Sequence, residues 1–294
     1  MSKVGRSLRR FLGAPLRLVS RPFRELRTFL DYTPEDTPVA DTLASTLENP
    51  SLLIEHIEAL RRHLLRSILA LIITTGISFA FANRVLEWLA KPIGGTSALQ
   101  AIEVTESIGS FMRVSLMSGF VLAFPYILVE FFSFVNPGLK RQERIFILVA
   151  APMALVLFLA GLAFSYYVML PAALPFLLNF LGITTVPRPS NYIRFVTGLM
   201  FWIGIAFQFP LIIYILARLG VVRARTLVDG WRIAIVGIAV LAAAVTPTID
   251  PVNMALVMAP MTGLYFLSIG LAAIAQRSRE RAEARSQSGH QVET

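Results

Sequence analysis

Long apolar runs separated by short polar or charged stretches dominate the chain from about residue 67 to residue 275. Runs this long and this poor in charge match the roughly 20 residues that a helix needs to cross a hydrocarbon core of about 30 Å. Six spans are read: Ser67 to Leu89, Ile108 to Val135, Ile145 to Leu170, Ile193 to Ala217, Ile233 to Val245 and Met254 to Ala275. Lys91-Pro92 ends the first, and Pro171 and Pro175 punctuate the third. The last two are expected to be short, the fifth above all, since about 15 residues reach only about 22 Å and ask the bilayer to thin locally. Ahead of the first span, Ser51 follows Asn49-Pro50 and can cap a short amphipathic helix carrying Glu55, His56, Glu58, Arg61, Arg62, His63 and Arg66.

Composition agrees with this pattern. Of 294 residues, 55% are hydrophobic and 15% charged, and the mean hydropathy is +0.67, which places the chain among integral membrane proteins of all-α class. The net charge of +9 is uneven, with eight Lys and Arg from Lys3 to Arg27 and four from Arg277 to Arg285. Both ends are therefore expected in the cytoplasm, with residues 1–66, 136–144, 218–232 and 276–294 inside. Residues 93–107 hold Glu103 and Glu106 but no Lys or Arg and read as an outer loop, and a second outer loop runs through Pro187-Arg188-Pro189. Three segments follow: a basic extension over 1–50, a six-span domain over 51–275 and a basic, polar tail over 276–294. The extension fits either an interfacial helix on anionic lipid, broken at Pro15 and Pro22, or a disordered arm. With no Cys and only three His, neither disulfides, thiolate chemistry nor a metal cluster is expected, and no cofactor is.

Chemistry concentrates where the apolar runs stop. Between the second and third spans, Phe134-Val-Asn-Pro-Gly-Leu-Lys-Arg-Gln-Glu-Arg144 sets a Pro-Gly corner and four charges at the water interface. Glu143 is the lone carboxylate among Lys140, Arg141 and Arg144. It either offsets its neighbours or docks a basic peptide. The second span carries Arg113, Pro125 and Glu130, so part of it should face protein or water. In the fourth, Gln208 can bond a neighbouring helix, a water or a partner, but it cannot carry a proton.

These pieces resemble the TatC family, the polytopic subunit of twin-arginine protein translocases, over about residues 50–275. The resemblance rests on an ordered set of motifs: His56-Ile-Glu-Ala-Leu-Arg61, Lys91-Pro92, Thr105-Glu106 and Phe124-Pro125 come first. Phe134, Pro137, Leu139, Glu143 and Arg144 follow, then Ala206-Phe-Gln-Phe-Pro210, and Thr246-Pro247 with Asp250. It implies six spans in a curved, concave arrangement and a receptor for Arg-Arg signal peptides, without covalent chemistry. TatA/TatB-type single-span subunits, membrane lipid and further copies of the chain are the implied partners, and nucleic acid is not one. Peptide contacts fall to Glu143, Glu58, Glu55, Arg61, Phe134, Leu139 and Arg144. Partner or cavity contacts fall to Gln208, Pro125, Pro210, Thr105, Glu106 and Asp250, the two prolines acting mainly as helix kinks.

Two positions depart from the family pattern. Ala59 stands where a second peptide-binding glutamate is expected, and Gln208 where a polar, often acidic, residue is. Glu58 lies about 100° around the helix from Ala59, whereas Glu55 shares its face one turn away, so either could substitute. Correcting rotation asks less of a side chain than correcting a turn of rise, which favours Glu58. A secondary transporter of a small solute is the alternative function, although no convergent set of mid-membrane charges supports it.

Overall fold

The computed structural model describes residues 50–135, 141–179, 185–245 and 251–290, and every regular element among them is helical. Ten α-helices follow in chain order: α1 (Pro50–Ser78), α2 (Ala82–Ala90), α3 (Thr105–Val135), α4 (Arg141–Phe164), α5 (Leu170–Leu178), α6 (Pro189–Ala206), α7 (Phe209–Arg218), α8 (Ala224–Asp229), α9 (Trp231–Val245) and α10 (Pro251–His290). Four stretches are long and apolar enough to cross a membrane: Thr105–Val135, Ala150–Leu178, Pro189–Arg218 and Met254–Glu280. A fifth candidate is the bent pair Ile57–Ser78 and Ala82–Ile93, and Trp231–Ala244 is a shorter apolar helix. Large apolar side chains such as Ile72, Val156 and Ile233 stand exposed, as lipid-facing positions do.

The first span differs from the continuous helix expected over Ser67 to Leu89. It ends at Ser78, and α2 leaves at 78° to it. No Pro marks the break; Gly76 and the back-bonded Ser78 stand in the last turn before it, and packing on α2 fixes its direction. Ala82, Leu89 and Ala90 are buried, Trp88 stacks on Tyr166 at 3.7 Å, and the Tyr166 and Tyr192 hydroxyls donate to the Trp88 and Leu89 carbonyls, both at 2.7 Å. The Trp88 carbonyl also accepts the Lys91 N–H, so the tyrosines add bonds to the last turn of α2 and fasten it to its neighbours.

The third span also outruns its expected end at Leu170. A π-turn over Ser165–Met169 joins α4 to α5, which continues through Pro171 and Pro175 to Leu178. Pro171 has no N–H for the carbonyl four residues back and would crowd it in a regular helix. The wider turn, with Leu170 N–H bonded to Ser165, makes room. In the fourth span Pro210 cannot bond Ala206, and the helix breaks there before restarting at Phe209. At 15 residues α9 is short as expected; α10 is not, since its apolar stretch of 27 residues and its helix to His290 pass well beyond Ala275.

Contacts group the described residues into two units, one holding those from 50 to 64 and from 129 to 147, the other those from 65 to 128 and from 148 onward. In the larger unit, Phe124 stacks on Phe158 at 3.8 Å, with Ile193, Leu199 and Ile203 buried around them. A Cβ on Gly161 would stand 2.9 Å from the Gly204 Cα, so these glycines let α4 and α6 touch backbone to backbone. Gly119 does the same for α3 against Thr75 of α1, and the Thr74 hydroxyl donates to the Gly119 carbonyl at 2.8 Å.

Candidate functional site

The smaller unit gathers the start of α1, the end of α3 and the start of α4, and with them most of the expected peptide contacts. Glu58 is half exposed and pairs with Arg61 one turn on at 3.5 Å, a solvated contact of little strength. Phe134 is half-buried and meets the His63 ring edge-on at 6.1 Å. Glu143 and Arg144 fall in the first turn of α4, and Glu55 in the first turns of α1, but their side chains lie outside the described set. Leu139 and Asp250 lie outside the described residues altogether.

Sequence reasoning leaves Glu130 as an oddity of the second span; in the fold it is a centre of the unit. Its carboxylate is buried and lies 2.6 Å from the Nδ1 of His63. His63 stands four residues after Ala59, on the same face of α1. So the face that lacks the expected glutamate is met by a carboxylate from α3. Periodicity on α1 could find His63, but only the packing of two helices reveals its partner.

The larger unit holds the second polar site. Glu106, at the start of α3, is buried, and its Oε1 accepts from Arg188 Nε at 2.7 Å and from a terminal guanidinium nitrogen. Arg188 also donates to Glu103 at 3.0 Å, and Gln100 N–H donates to the Pro187 carbonyl at 3.2 Å. The two loops read as outer loops are thus tied together. Hydrogen bonding to Glu106 foremost, then to Glu103, holds the Arg188 guanidinium above its ordinary pKa, so its charge is permanent. Thr105, next to Glu106, is exposed.

The remaining expected contacts are structural in their geometry. Gln208 sits buried at the break between α6 and α7, and its Nε2 donates to the Ala154 carbonyl of α4 at 3.1 Å. The amide thus joins the α6–α7 break to α4. Pro210 is buried and causes that break, whereas Pro125 is exposed within an uninterrupted α3. Among the described residues no group of three His, Asp or Glu converges as a metal site.

The profile of the family described as Sec-independent protein translocase protein (TatC) matches residues 55–260. The chain belongs to the TatC family. It is 35% identical to the Sec-independent protein translocase protein TatC of Carboxydothermus hydrogenoformans, across 76% of this chain and 94% of the relative. It is 37% identical to the chloroplastic protein of Arabidopsis thaliana, across 72% of this chain and 64% of that one. The crystal structure of the twin-arginine translocase receptor TatC superposes with a TM-score of 0.68 at 33% identity, covering 75% of this chain and 99% of that one. As a TatC-family member this is an all-helical, multi-pass membrane protein and a component of Sec-independent protein translocation, and the small-solute transporter reading finds no support.

Proposed function

We propose that this TatC-family protein is the receptor that binds the paired guanidiniums of twin-arginine signal peptides at the cytoplasmic membrane face. It works with single-span TatA/TatB-type subunits to export folded precursors. Six spans with both termini in the cytoplasm suit this role, and Glu143 is the principal acceptor. One observation carries the reading: Ala59, His63, Glu130, Phe134 and Glu143 all belong to one compact unit, although they come from three helices or their junctions. Two guanidiniums need carboxylates able to accept paired, charge-assisted bonds, which gain strength when shielded from water.

A second acid is required where Ala59 stands. Helix geometry alone favours Glu58 over Glu55, yet the half-exposed Glu58 carboxylate already faces Arg61. Glu130 is shielded and meets the Ala59 face through His63, which favours it as the second acceptor, the imidazole setting its orientation. Binding of a synthetic Arg-Arg signal peptide by the purified protein, set against a Lys-Lys version, tests this. Glu143→Gln and Glu130→Gln should each weaken Arg-Arg binding by roughly tenfold, the size of a charge-assisted bond. Equal binding of the two peptides by the unsubstituted protein would remove the receptor reading.

A further inference from the structure

At the end of α3 remote in sequence from Glu130, a cavity of about 360 Å³ is lined by Glu103, Glu106, Ser110, Arg113, Arg188 and Arg194, with the first turn of α6. Arg188 is committed to the two glutamates. Arg113 and Arg194 form no ion pair among the described residues and are exposed. Both nevertheless sit inside membrane-spanning helices, eight residues past Thr105 and five past Pro189. That is roughly 12 Å and 8 Å along the respective axes. A guanidinium within the first turns of a membrane-crossing helix sets its long stem toward the interface and is stabilised by an anion there. The anion that every bilayer holds at that level is the lipid phosphate. The starts of α3 and α6 both lie at the cavity, and their dipoles favour negative charge in it.

Two buried oxygens narrow the choice. Ser110 is 2% exposed, and its hydroxyl finds no hydrogen-bond partner among the described residues. The same holds for Glu106 Oε2, since both bonds from Arg188 go to Oε1. Buried polar atoms of this kind are costly unless a partner completes them. A phosphate would complete Ser110 and the two arginines but would repel the free carboxylate oxygen. That oxygen calls for a cationic donor a few ångströms from the phosphate.

We propose that this cavity binds the headgroup of a phosphoethanolamine lipid, its phosphate held by Arg113, Arg194 and Ser110 and its ammonium donating to Glu106 Oε2. The ammonium distinguishes this ligand from the alternatives. A choline headgroup has no N–H to give, a glycerol headgroup offers only neutral hydroxyls, and inorganic phosphate supplies neither an ammonium nor an acyl anchor.

The test is native mass spectrometry of the purified full-length chain, delipidated in detergent and titrated with dioleoyl phosphatidylethanolamine, phosphatidylglycerol, phosphatidylcholine or sodium phosphate. The expected result is one retained phosphatidylethanolamine, held roughly tenfold more tightly than the other two lipids, with no competition from phosphate at matched concentration. The Arg113→Gln, Arg194→Gln double variant should lose that lipid. Glu106→Gln should abolish the preference for ethanolamine over glycerol. Equal retention of the three lipids, displacement by inorganic phosphate, or retention of the lipid by the double variant would overturn the proposal. Should the double variant not fold, the headgroup series on the unsubstituted protein decides alone.

Discussion

Near its start α3 buries Glu106 against the guanidinium of Arg188, and near its end it buries Glu130 against the imidazole of His63. The two carboxylates are similarly shielded, each 5% exposed, so what separates them is the partner. Arginine is cationic under all ordinary conditions, and its fork spans two acids at once. Arg188 uses this to tie Glu103 and Glu106 to the loop that precedes α6. Histidine can accept or donate, and it can be charged or neutral. A pair built on it can be rearranged when a stronger donor arrives. The first arrangement therefore works as a permanent fastener between loops. In the proposed receptor role, the second is the arrangement that would exchange its partner for an incoming guanidinium.

The largest effect is expected from removing the fastener. Arg188→Gln leaves the buried Glu106 carboxylate without its cation, and a buried charge that loses its partner is among the most destabilising of single changes. Thermal unfolding in detergent should show a larger drop in Tm for this variant than for any substitution at Glu130, Gln208 or Glu58. A Tm close to that of the unsubstituted protein would show that Glu106 is solvated and the contrast with Glu130 false. Next comes Glu130→Leu, which deprives His63 of its acceptor and should cost about 1–3 kcal/mol by the same measurement. Comparison with Glu130→Gln sharpens the point, because the amide keeps a hydrogen bond to His63 and should recover most of the stability while Arg-Arg peptide affinity stays low. If both variants bind the peptide normally, Glu130 is a structural acid like Glu106.

Smaller effects lie outside the two acids of α3. Gln208→Leu removes the bond to the Ala154 carbonyl and should cost about 1 kcal/mol, with peptide binding unchanged if the amide serves only to join α6 to α4. A loss of peptide binding at normal stability would instead make Gln208 a contact of the bound partner. Glu58→Gln should be nearly silent in stability, below about 0.5 kcal/mol, since it breaks only a solvated pair with Arg61. Its effect on peptide affinity then reports directly whether Glu58 shares the second acceptor position with Glu130.

Much of this protein is legible in the chain alone. The helical class and the rough positions of the apolar stretches follow from hydropathy, because a bilayer forces each long apolar run to satisfy its own backbone within a helix. The ordered Pro, Gly and Glu motifs are enough to point to the TatC family, and the break at Pro210 follows from the missing N–H of proline. The polar breaks at residues 93–107 and at Pro187-Arg188-Pro189 were also legible, and the Arg188 contacts join them.

Other features depended on which surfaces meet. The bend between α1 and α2 follows a last turn with Gly76 and a Ser78 hydroxyl bonded back to Thr75, and the contacts of Trp88 with Tyr166 and of Leu89 with Tyr192 fix where α2 goes. The extension of the third span past Pro171 required a π-turn, a backbone adjustment that no residue spacing announces. Local sequence determined where Ala59, His63, Glu106 and Glu130 sit along their helices. Only tertiary packing decided that Glu130 would meet a histidine and Glu106 an arginine, because hydropathy and helical period act over a few turns, whereas these partners are separated by 67 and 82 positions in the chain.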